Sequence, residues 1–237
     1  MKVAVLQSNY LPWKGYFDII HAVDVFVFYD DVQFTKNDWR HRNRIKTSRG
    51  PEWLSVPVGS HIHRLICEVS MTDPRWAERH FDILRQNYRA APFWSRYEPL
   101  LKDALLGRTW THLSELNQHL IRQLSGELGI STPFRDSREL SLEGQKGERL
   151  MGLLRQLGTT EYVSGPAARA YLDPAVFEAA GIRLTYFDYS GYPEYPQPHP
   201  PFVHEVSVVD LLLNVGPDAP RYIWGWREPP VAMPSPR

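Results

Sequence analysis

The chain has 237 residues, of which 43% are hydrophobic and 23% charged, as is typical of a globular protein with one large domain or two small ones. Lys and Arg total 27 and Asp and Glu total 27, so no overall charge recruits nucleic acid or an anionic membrane, and any anion site has to be local. The single cysteine, Cys67, excludes an internal disulfide and a multi-thiolate metal site.

The hydropathy pattern predicts neither a membrane span nor a signal peptide. No stretch approaches the ~18 apolar residues of a spanning helix, and the N-terminal segment is too polar for a signal sequence. Aromatic residues, at 13%, collect in predicted loops, where they either wall a pocket for a sugar or base or close the edges of a core. We therefore expect a cytoplasmic protein with a small-molecule site.

The first 29 residues predict the opening of a parallel sheet. Residues 2–6 are an apolar β-rich run, 7–15 a polar loop, 16–23 a short helix and 24–29 a second β-rich run. A strand–loop–helix–strand unit is typical of parallel α/β sheets, in which the loop after the first strand lies at the ligand-binding carboxyl edge. We predict an α/β fold with a Rossmann-like parallel sheet.

A helical segment at about 74–130 interrupts this predicted sheet. It follows a predicted strand at 53–58, and its clearest helix is 112–128, where leucines recur on one stripe before Gly129. Later elements are predicted as a helix at 147–157, strands at 160–164 and 182–187 with a helix between Asp173 and Gly181, an irregular loop at 189–202, and a helix at 208–215 that begins with a Ser207–Asp210 capping box. We assign 1–227 to one domain and 228–237 to a proline-rich, disordered tail.

The loop after the first predicted strand is the first candidate site. Its polar side chains Gln7 and Asn9, and the amides of the following helix, can face an anion or a carbonyl group. Its aromatic residues Tyr10 and Trp13 can pack on a sugar or base, and Gly15 permits close approach of a ligand or backbone. The alternative is an ordinary turn closed by an aromatic side chain.

Two adjacent carboxylates follow the second predicted strand. Asp30 and Asp31 can serve a proton transfer or hold Mg²⁺ with phosphate oxygens, or they can simply form a turn. Successive strand residues point to opposite faces, so at most one of the two is expected to reach a site.

Residues 36–49 concentrate positive charge and give the strongest signal. The segment holds six cations against one acid, and four of the cations occupy every second position. If the chain is extended there, those four share one face while His41, Asn43 and Ile45 share the other. Arginine forks bind phosphate, so we predict a site for an anion such as a nucleoside diphosphate; a charged edge strand that resists aggregation is the alternative. The six cations are Lys36, Arg40, Arg42, Arg44, Lys46 and Arg49.

The histidines provide one candidate for catalysis and no metal site. His61 and His63 precede Cys67 but lack a nearby carboxylate or second thiolate, so no metal is predicted. His204 lies between the proline-rich loop and the last helix, where it can act as a general base or donor, or be a surface histidine.

Seven segments in one order resemble the WbqC-like family of bacteria. The resemblance spans nearly the whole chain and implies that Gln33, Ser164, Gly165, Tyr195 and Gln197, which lie in these segments, contact substrate. The segments are QSNYLPWKGYF at 7–17, DDVQF at 30–34, WRHRNRI at 39–45, YVSGPAA at 162–168, YLD at 171–173, YPEYPQ at 192–197 and VSVVDLL at 206–212.

Two departures from related sequences bear on catalysis. The family's usual Gln-Pro is Gln7-Ser8 here, and the His that often precedes it is Leu6, so any base role of that His has passed to another residue or been lost. The opening segment also resembles nucleotidyltransferase-type Rossmann-like domains, but Trp13-Lys-Gly-Tyr16 lacks both histidines of their His-x-Gly-His motif.

Members of this family are encoded in surface-polysaccharide and O-antigen clusters, and the resemblance implies transfer of glycine to an amino sugar. We expect an acyl- or aminoacyltransferase acting on a nucleotide-linked amino sugar. In this hypothesis Gln7 and Asn9 orient the acyl carbonyl, and the amine proton passes to Asp30, Asp31 or His204. The arginines, with Lys36 and Asn43 nearby, bind phosphates, while Tyr10, Trp13 and Trp39 pack on the sugar or base.

Two other functions stay open at this stage. One is an ATP-dependent ligase or nucleotidyltransferase, which shares the anion site and requires ATP with Mg²⁺ as cofactor. The other is a non-catalytic scaffold in a glycan assembly complex, which would present an exposed apolar patch. No cofactor is assigned under the leading hypothesis, and no nucleic acid or membrane partner is expected.

Overall fold

The computed structural model describes residues 1–227, which form seven strands, seven α-helices and four short 3₁₀ helices. The predicted tail at 228–237 lies outside the described residues. The strands are β1 (Lys2–Leu6), β2 (Val25–Phe28), β3 (Arg42–Thr47), β4 (Gly50–Ser55), β5 (Phe134–Asp136), β6 (Glu161–Ser164) and β7 (Arg183–Tyr186). The helices are α1 (Lys14–His21), α2 (Trp76–Tyr88), α3 (Trp94–Leu106), α4 (Leu113–Glu127), α5 (Lys146–Gln156), α6 (Pro174–Ala179) and α7 (Val208–Val215).

Five of the strands form one parallel sheet in the order β5-β2-β1-β6-β7. Alternate residues bury opposite faces: Ala4 and Phe26 pack in the core around α1 and α4, whereas Val5 and Val27 pack against α5 and α6. Helices therefore cover both faces, and the strand order reverses between β1 and β6. This arrangement confirms the predicted α/β, Rossmann-like fold.

The predicted helical segment is present as α2, α3 and α4 between β4 and β5. The leucine stripe of α4 is buried as its periodicity predicts, and Gly129 follows the helix with a positive φ of 71°. Polar residues of α4 reach the carboxyl ends of β2 and β5. The insertion therefore helps to build that edge of the sheet as well as the core.

β3 and β4 form a separate antiparallel hairpin, in which Arg44 pairs with Trp53. The predicted strand at 53–58 is therefore wrong in its bounds, because β4 ends at Ser55. After that point the Val56 amide bonds the His41 carbonyl, and Pro57 cannot donate to a ladder. β5 was missed by the sequence prediction, since three residues are too few to show an alternating pattern.

The segment between β7 and α7 is irregular, as its five prolines predict. Ser207 caps α7, its Oγ accepting from the Val209 amide at 3.2 Å. Asp210 does not complete the predicted capping box, because its carboxylate accepts bonds from the hydroxyls of Tyr88 (2.7 Å) and Tyr195 (2.5 Å). Across residues 1–227, none of the helices has the length and apolar character needed to cross a membrane.

Candidate functional site

A cavity of about 230 Å³ lies between the loop after β1, the β3–β4 hairpin and the segment before α7. We call it the indole cavity. Four of its lining residues are among the residues predicted from the sequence to bind substrate, and the fifth, Glu205, is new. The lining residues are Asn9, Trp13, Trp39, Asn43 and Glu205.

Backbone and amide hydrogen bonds fix the loop that forms one wall. The Asn43 Nδ2 donates to the Leu11 carbonyl at 2.7 Å and to the Tyr10 carbonyl at 3.3 Å, while its Oδ1 accepts from the Arg44 amide at 2.8 Å. The Pro12 carbonyl accepts from the Val208 amide at 2.8 Å. The polar groups of Asn43 are thus occupied, so this residue shapes the cavity rather than recognising a ligand.

Two other lining residues carry hydrogen-bond acceptors that have no close partner within residues 1–227. The Oδ1 atom of Asn9 is buried and has no hydrogen-bond partner within residues 1–227. The Glu205 side chain is 64% exposed, and within residues 1–227 its carboxylate lies 3.8 Å from the Arg44 guanidinium. A buried acceptor without a partner costs free energy, so this wall is suited to a ligand that brings hydrogen-bond donors.

The cationic stretch alternates as predicted from Arg42 through Lys46, but it is not a continuous anion surface. Lys46 is 2% exposed and its amine donates to the Pro201 carbonyl, so this side chain holds the proline-rich loop against the hairpin and is not available to a ligand. Arg40 precedes β3 and pairs with Asp38 at 2.9 Å. Arg42 and Arg44 are left as the accessible cations next to the indole cavity, and the exposed Lys36 lies outside its lining.

The N-terminus of α1 is closed to ligands, which corrects the expectation that its amides face an anion. The Trp13 indole packs directly over Gly15, so that a Cβ there would lie 2.3 Å from an indole carbon. The close approach that this glycine permits is therefore made by the protein's own side chain. Lys14, also buried, lies among aromatic rings, and burial lowers its pKa to about 8 against the opposing charges of Asp18 and Asp210.

Asp30 and Asp31 point to different sides of the sheet, as predicted, and neither lines the cavity. Asp30 is fully buried and accepts from the Ser8 amide (2.8 Å), Ser114 Oγ (2.5 Å) and Gln118 Nε2 (3.2 Å); burial raises the pKa of its carboxyl despite these bonds. Asp31 accepts from Ser137 Oγ and from the Arg149 guanidinium. Both carboxylates are engaged in the fold.

His204 is half-buried beside Glu205 and packs against the Phe202 ring, with 4.6 Å between ring centroids. Its Nδ1 is buried without a partner in the described part of the chain. Burial, followed by the charge of Lys14, lowers the pKa of His204, so that it is neutral at physiological pH and able to accept a proton.

Three other predicted contacts serve the protein interior. Tyr10 is fully buried and its hydroxyl bonds the His80 Nδ1 at 2.8 Å, so its ring cannot stack on a ligand in the cavity. Tyr195 bonds Asp210, and Gln197 Nε2 donates to the same carboxylate at 2.8 Å. Both residues hold the proline-rich loop onto α7.

The remaining predicted residues lie at other places on the carboxyl edge and the loops. The Gln7 carbonyl accepts from the Tyr16 hydroxyl at 3.0 Å, and Ser164 Oγ accepts from the Tyr162 hydroxyl at 3.4 Å. Gly165 follows β6, and Gln33 donates to the Ile62 carbonyl. None of these lines the indole cavity. Among residues 1–227 no group of three or more His, Cys, Asp or Glu side chains is placed to hold a metal ion.

Sequence reasoning missed two functional candidates. Glu205 stands next to His204, and a carboxylate adjacent to a candidate base was the available signal. Trp53 lies across the hairpin from Arg44, and its ring is 4.3 Å from the Arg42 guanidinium carbon and 5.7 Å from that of Arg44. Its role depends on the register of the hairpin, which the sequence pattern did not define.

Comparison with known proteins finds sequence similarity over most of the chain. The sequence profile of the WbqC-like protein family matches residues 7–222. The uncharacterized protein Rv1507c of Mycobacterium tuberculosis is 47% identical over 224 residues, which cover 94% of this chain and 97% of that protein. No solved structure gives a significant match. The chain belongs to the WbqC-like protein family.

Proposed function

We propose that this protein is an acyl- or aminoacyltransferase that acylates the amine of an amino sugar during surface-polysaccharide synthesis. The observation that carries the proposal is the chemistry of the indole cavity. It combines two indoles, a buried acceptor without a partner on Asn9 and the Glu205 carboxylate. These groups match a ring that carries hydroxyl and amine donors.

The size of the cavity supports a single sugar ring. Pockets for drug-sized ligands have volumes of about 300–1,000 Å³, so a cavity of about 230 Å³ suits one ring rather than a whole nucleotide sugar. The indoles of Trp13 and Trp39 offer apolar faces for the C–H groups of such a ring. The remainder of the substrate then lies outside the cavity.

The neighbouring arginines support an anionic group on that remainder. Arg42 uses one guanidinium nitrogen on the Asn37 carbonyl at 2.5 Å, and within residues 1–227 the one ion pair of Arg44 is its 3.8 Å contact with Glu205. Each guanidinium has five N–H donors, so most of them stay free for phosphate oxygens. A phosphate or diphosphate on the sugar is the anion we propose.

Glu205 is the proposed acceptor of the amine proton. In the reaction, the amine nitrogen attacks the carbonyl carbon of an activated acyl donor, a thioester or an acyl phosphate. A C–N bond forms, the bond to the donor's leaving group breaks, and the amine proton passes to the Glu205 carboxylate, with His204 beside it as a second acceptor. Asp30 and Asp31 take no part, because the fold uses their carboxylates.

The test is to incubate the purified full chain with amino-sugar phosphates or nucleotides and with thioester or acyl-phosphate donors, and to detect the N-acylated sugar by mass spectrometry. We expect Glu205→Gln to lower the acylation rate by about 100-fold or more, as loss of a general base does, while the substrate still binds. Glu194→Gln is the matched control, since Glu194 is an exposed glutamate of the same loop that does not line the cavity.

Two outcomes would contradict the proposal. Equal loss in Glu205→Gln and Glu194→Gln would show that the loop, and not the cavity carboxylate, matters. Release of AMP or pyrophosphate from Mg²⁺-ATP, dependent on the same substrate, would instead support the ligase hypothesis.

A further inference from the structure

Two exposed indoles lie side by side next to the indole cavity. Trp39 is 40% exposed and Trp53 45%, and their ring centroids are 5.4 Å apart. Burial of apolar surface stabilises a protein or complex by about 25 cal/mol per Å², and the exposed part of each ring could still contribute this free energy on binding a ligand. Trp39 also lines the cavity, so the pair is continuous with the proposed sugar site. We call this pair the Trp39–Trp53 platform.

Two arginine guanidinium groups lie over the Trp53 ring of the platform. The guanidinium carbon of Arg42 lies 4.3 Å from the Trp53 ring centroid and that of Arg44 lies 5.7 Å from it. Arg44 and Trp53 are register partners across the hairpin, and the Asn37 carbonyl holds Arg42 in place. Hairpin hydrogen bonds therefore set the spacing of aromatic rings and positive charges before any ligand binds.

We propose that the Trp39–Trp53 platform is a nucleobase subsite, so that the amino sugar is presented as a nucleoside diphosphate derivative. A flat base stacks on exposed indole, the diphosphate reaches Arg42 and Arg44, and the sugar enters the cavity beyond Trp39. A lipid diphosphate brings no ring for the platform, and a sugar phosphate brings none besides the sugar. This inference rests on the proposed use of the cavity by the sugar and adds the class of its carrier.

The chemistry of the platform selects a flat ring without selecting a particular base. Every nucleobase has a π face, and stacking on an aromatic side chain is worth enough to change affinity by tenfold or more. We therefore expect uridine, adenosine and guanosine diphosphates to bind with similar affinities.

The test is isothermal titration calorimetry of the full chain with UDP, ADP, GDP and inorganic pyrophosphate. We expect each nucleotide to bind at least about tenfold more tightly than pyrophosphate, the share that base stacking contributes. Trp53→Ala should remove most of that advantage, whereas Trp53→Phe should retain it. Tyr171→Ala is the matched control, because Tyr171 is a 75%-exposed aromatic outside the site and its loss should change nothing.

Several results would overturn the nucleobase subsite. They are equal affinity for UDP and pyrophosphate, UDP binding that Trp53→Ala leaves unchanged, or a single-stranded RNA that binds more tightly than UDP with the same dependence on Trp53. Failure of the two proposals can be told apart. Nucleotide binding without N-acylation overturns the transferase alone, and N-acylation of a sugar phosphate with no nucleotide binding overturns the nucleobase subsite alone.

Discussion

The carboxyl ends of β2 and β5 and the wall of the indole cavity are both rich in polar side chains, yet they differ in how these are paired. At the sheet edge, Gln118 bridges Asp30 and Asp136 at 3.2 and 2.8 Å, and Arg138 binds both oxygens of Asp136 at 2.8–2.9 Å. These bonds outweigh burial and lower the pKa of Asp136. In the cavity, the buried Asn9 Oδ1 has no partner within the described residues, and the Glu205 carboxylate, 64% exposed, lies 3.8 Å from its Arg44 partner.

This difference separates polar groups that hold the fold from polar groups that await a ligand. A buried polar group whose bonds are all made within the chain stabilises one conformation, and a ligand would have to break those bonds to use it. A group left without a partner costs stability, and that cost is recovered on binding. By this criterion we assign the sheet edge to the fold and propose the indole cavity as the ligand site, although the sequence pointed to Asp30 and Asp31 as catalytic residues and did not identify Glu205.

The largest effect is expected at the sheet edge. Asp30→Ala removes the acceptor to which the buried Ser8 amide and Ser114 hydroxyl both donate, so we expect the free energy of unfolding to fall by about 3–5 kcal/mol. Asp30→Asn keeps an acceptor for the Ser8 amide and should cost less, about 1–2 kcal/mol. Urea denaturation measures both. A loss below about 1 kcal/mol for Asp30→Ala would contradict the structural role of the sheet edge, since the Asp30 carboxylate would then contribute little to stability and could act in catalysis.

The next effect concerns Lys14, a buried cation that lies in neither region. Within residues 1–227 its amine donates to one group, the Pro193 carbonyl, at 3.4 Å, and burial lowers its pKa to about 8, below the value of about 10.4 in an unfolded chain. The unfolded chain therefore binds the proton more tightly than the folded one. Between pH 8 and 10.5 this group should add up to about 3 kcal/mol of stability as the pH rises.

Lys14→Met isolates that contribution, because methionine fills similar space and carries no proton. We expect the stability difference between the wild type and Lys14→Met to move in favour of the wild type as the pH rises through this window. Lys102→Met, at an exposed lysine of α3, should give a difference that is independent of pH. Parallel pH profiles for the wild type and Lys14→Met would show that the cation is well solvated or paired in the folded protein.

The sequence predicts the sheet more fully than the site, and particular residues show why. The strand at 2–6 and the leucine stripe of α4 are predicted from the local sequence pattern, and the structure buries the same residues. Whether Asp30 or Glu205 faces a ligand depends on contacts between segments far apart in the chain, such as the bond from Ser114 to Asp30. Arg42 and Lys46 occupy equivalent positions in the alternating sequence pattern. Only the tertiary structure shows that Lys46 is buried under the proline-rich loop while Arg42 stays partly exposed.

The smallest effect is expected in the cavity itself and has the opposite sign to that at Asp30. Asn9→Ala removes a buried acceptor that has no partner in the described structure, so we expect the free energy of unfolding to stay the same or rise by up to about 1 kcal/mol. Substrate affinity should fall in the same variant, because the ligand loses its acceptor. Thermal denaturation with and without UDP-linked amino sugar measures both quantities. If Asn9→Ala destabilises the protein as Asp30→Ala does, the Asn9 side chain stabilises the loop after β1 instead of serving a ligand. The distinction between paired polar groups at the sheet edge and unpaired ones in the cavity would then be wrong for Asn9, the residue on which it depends most.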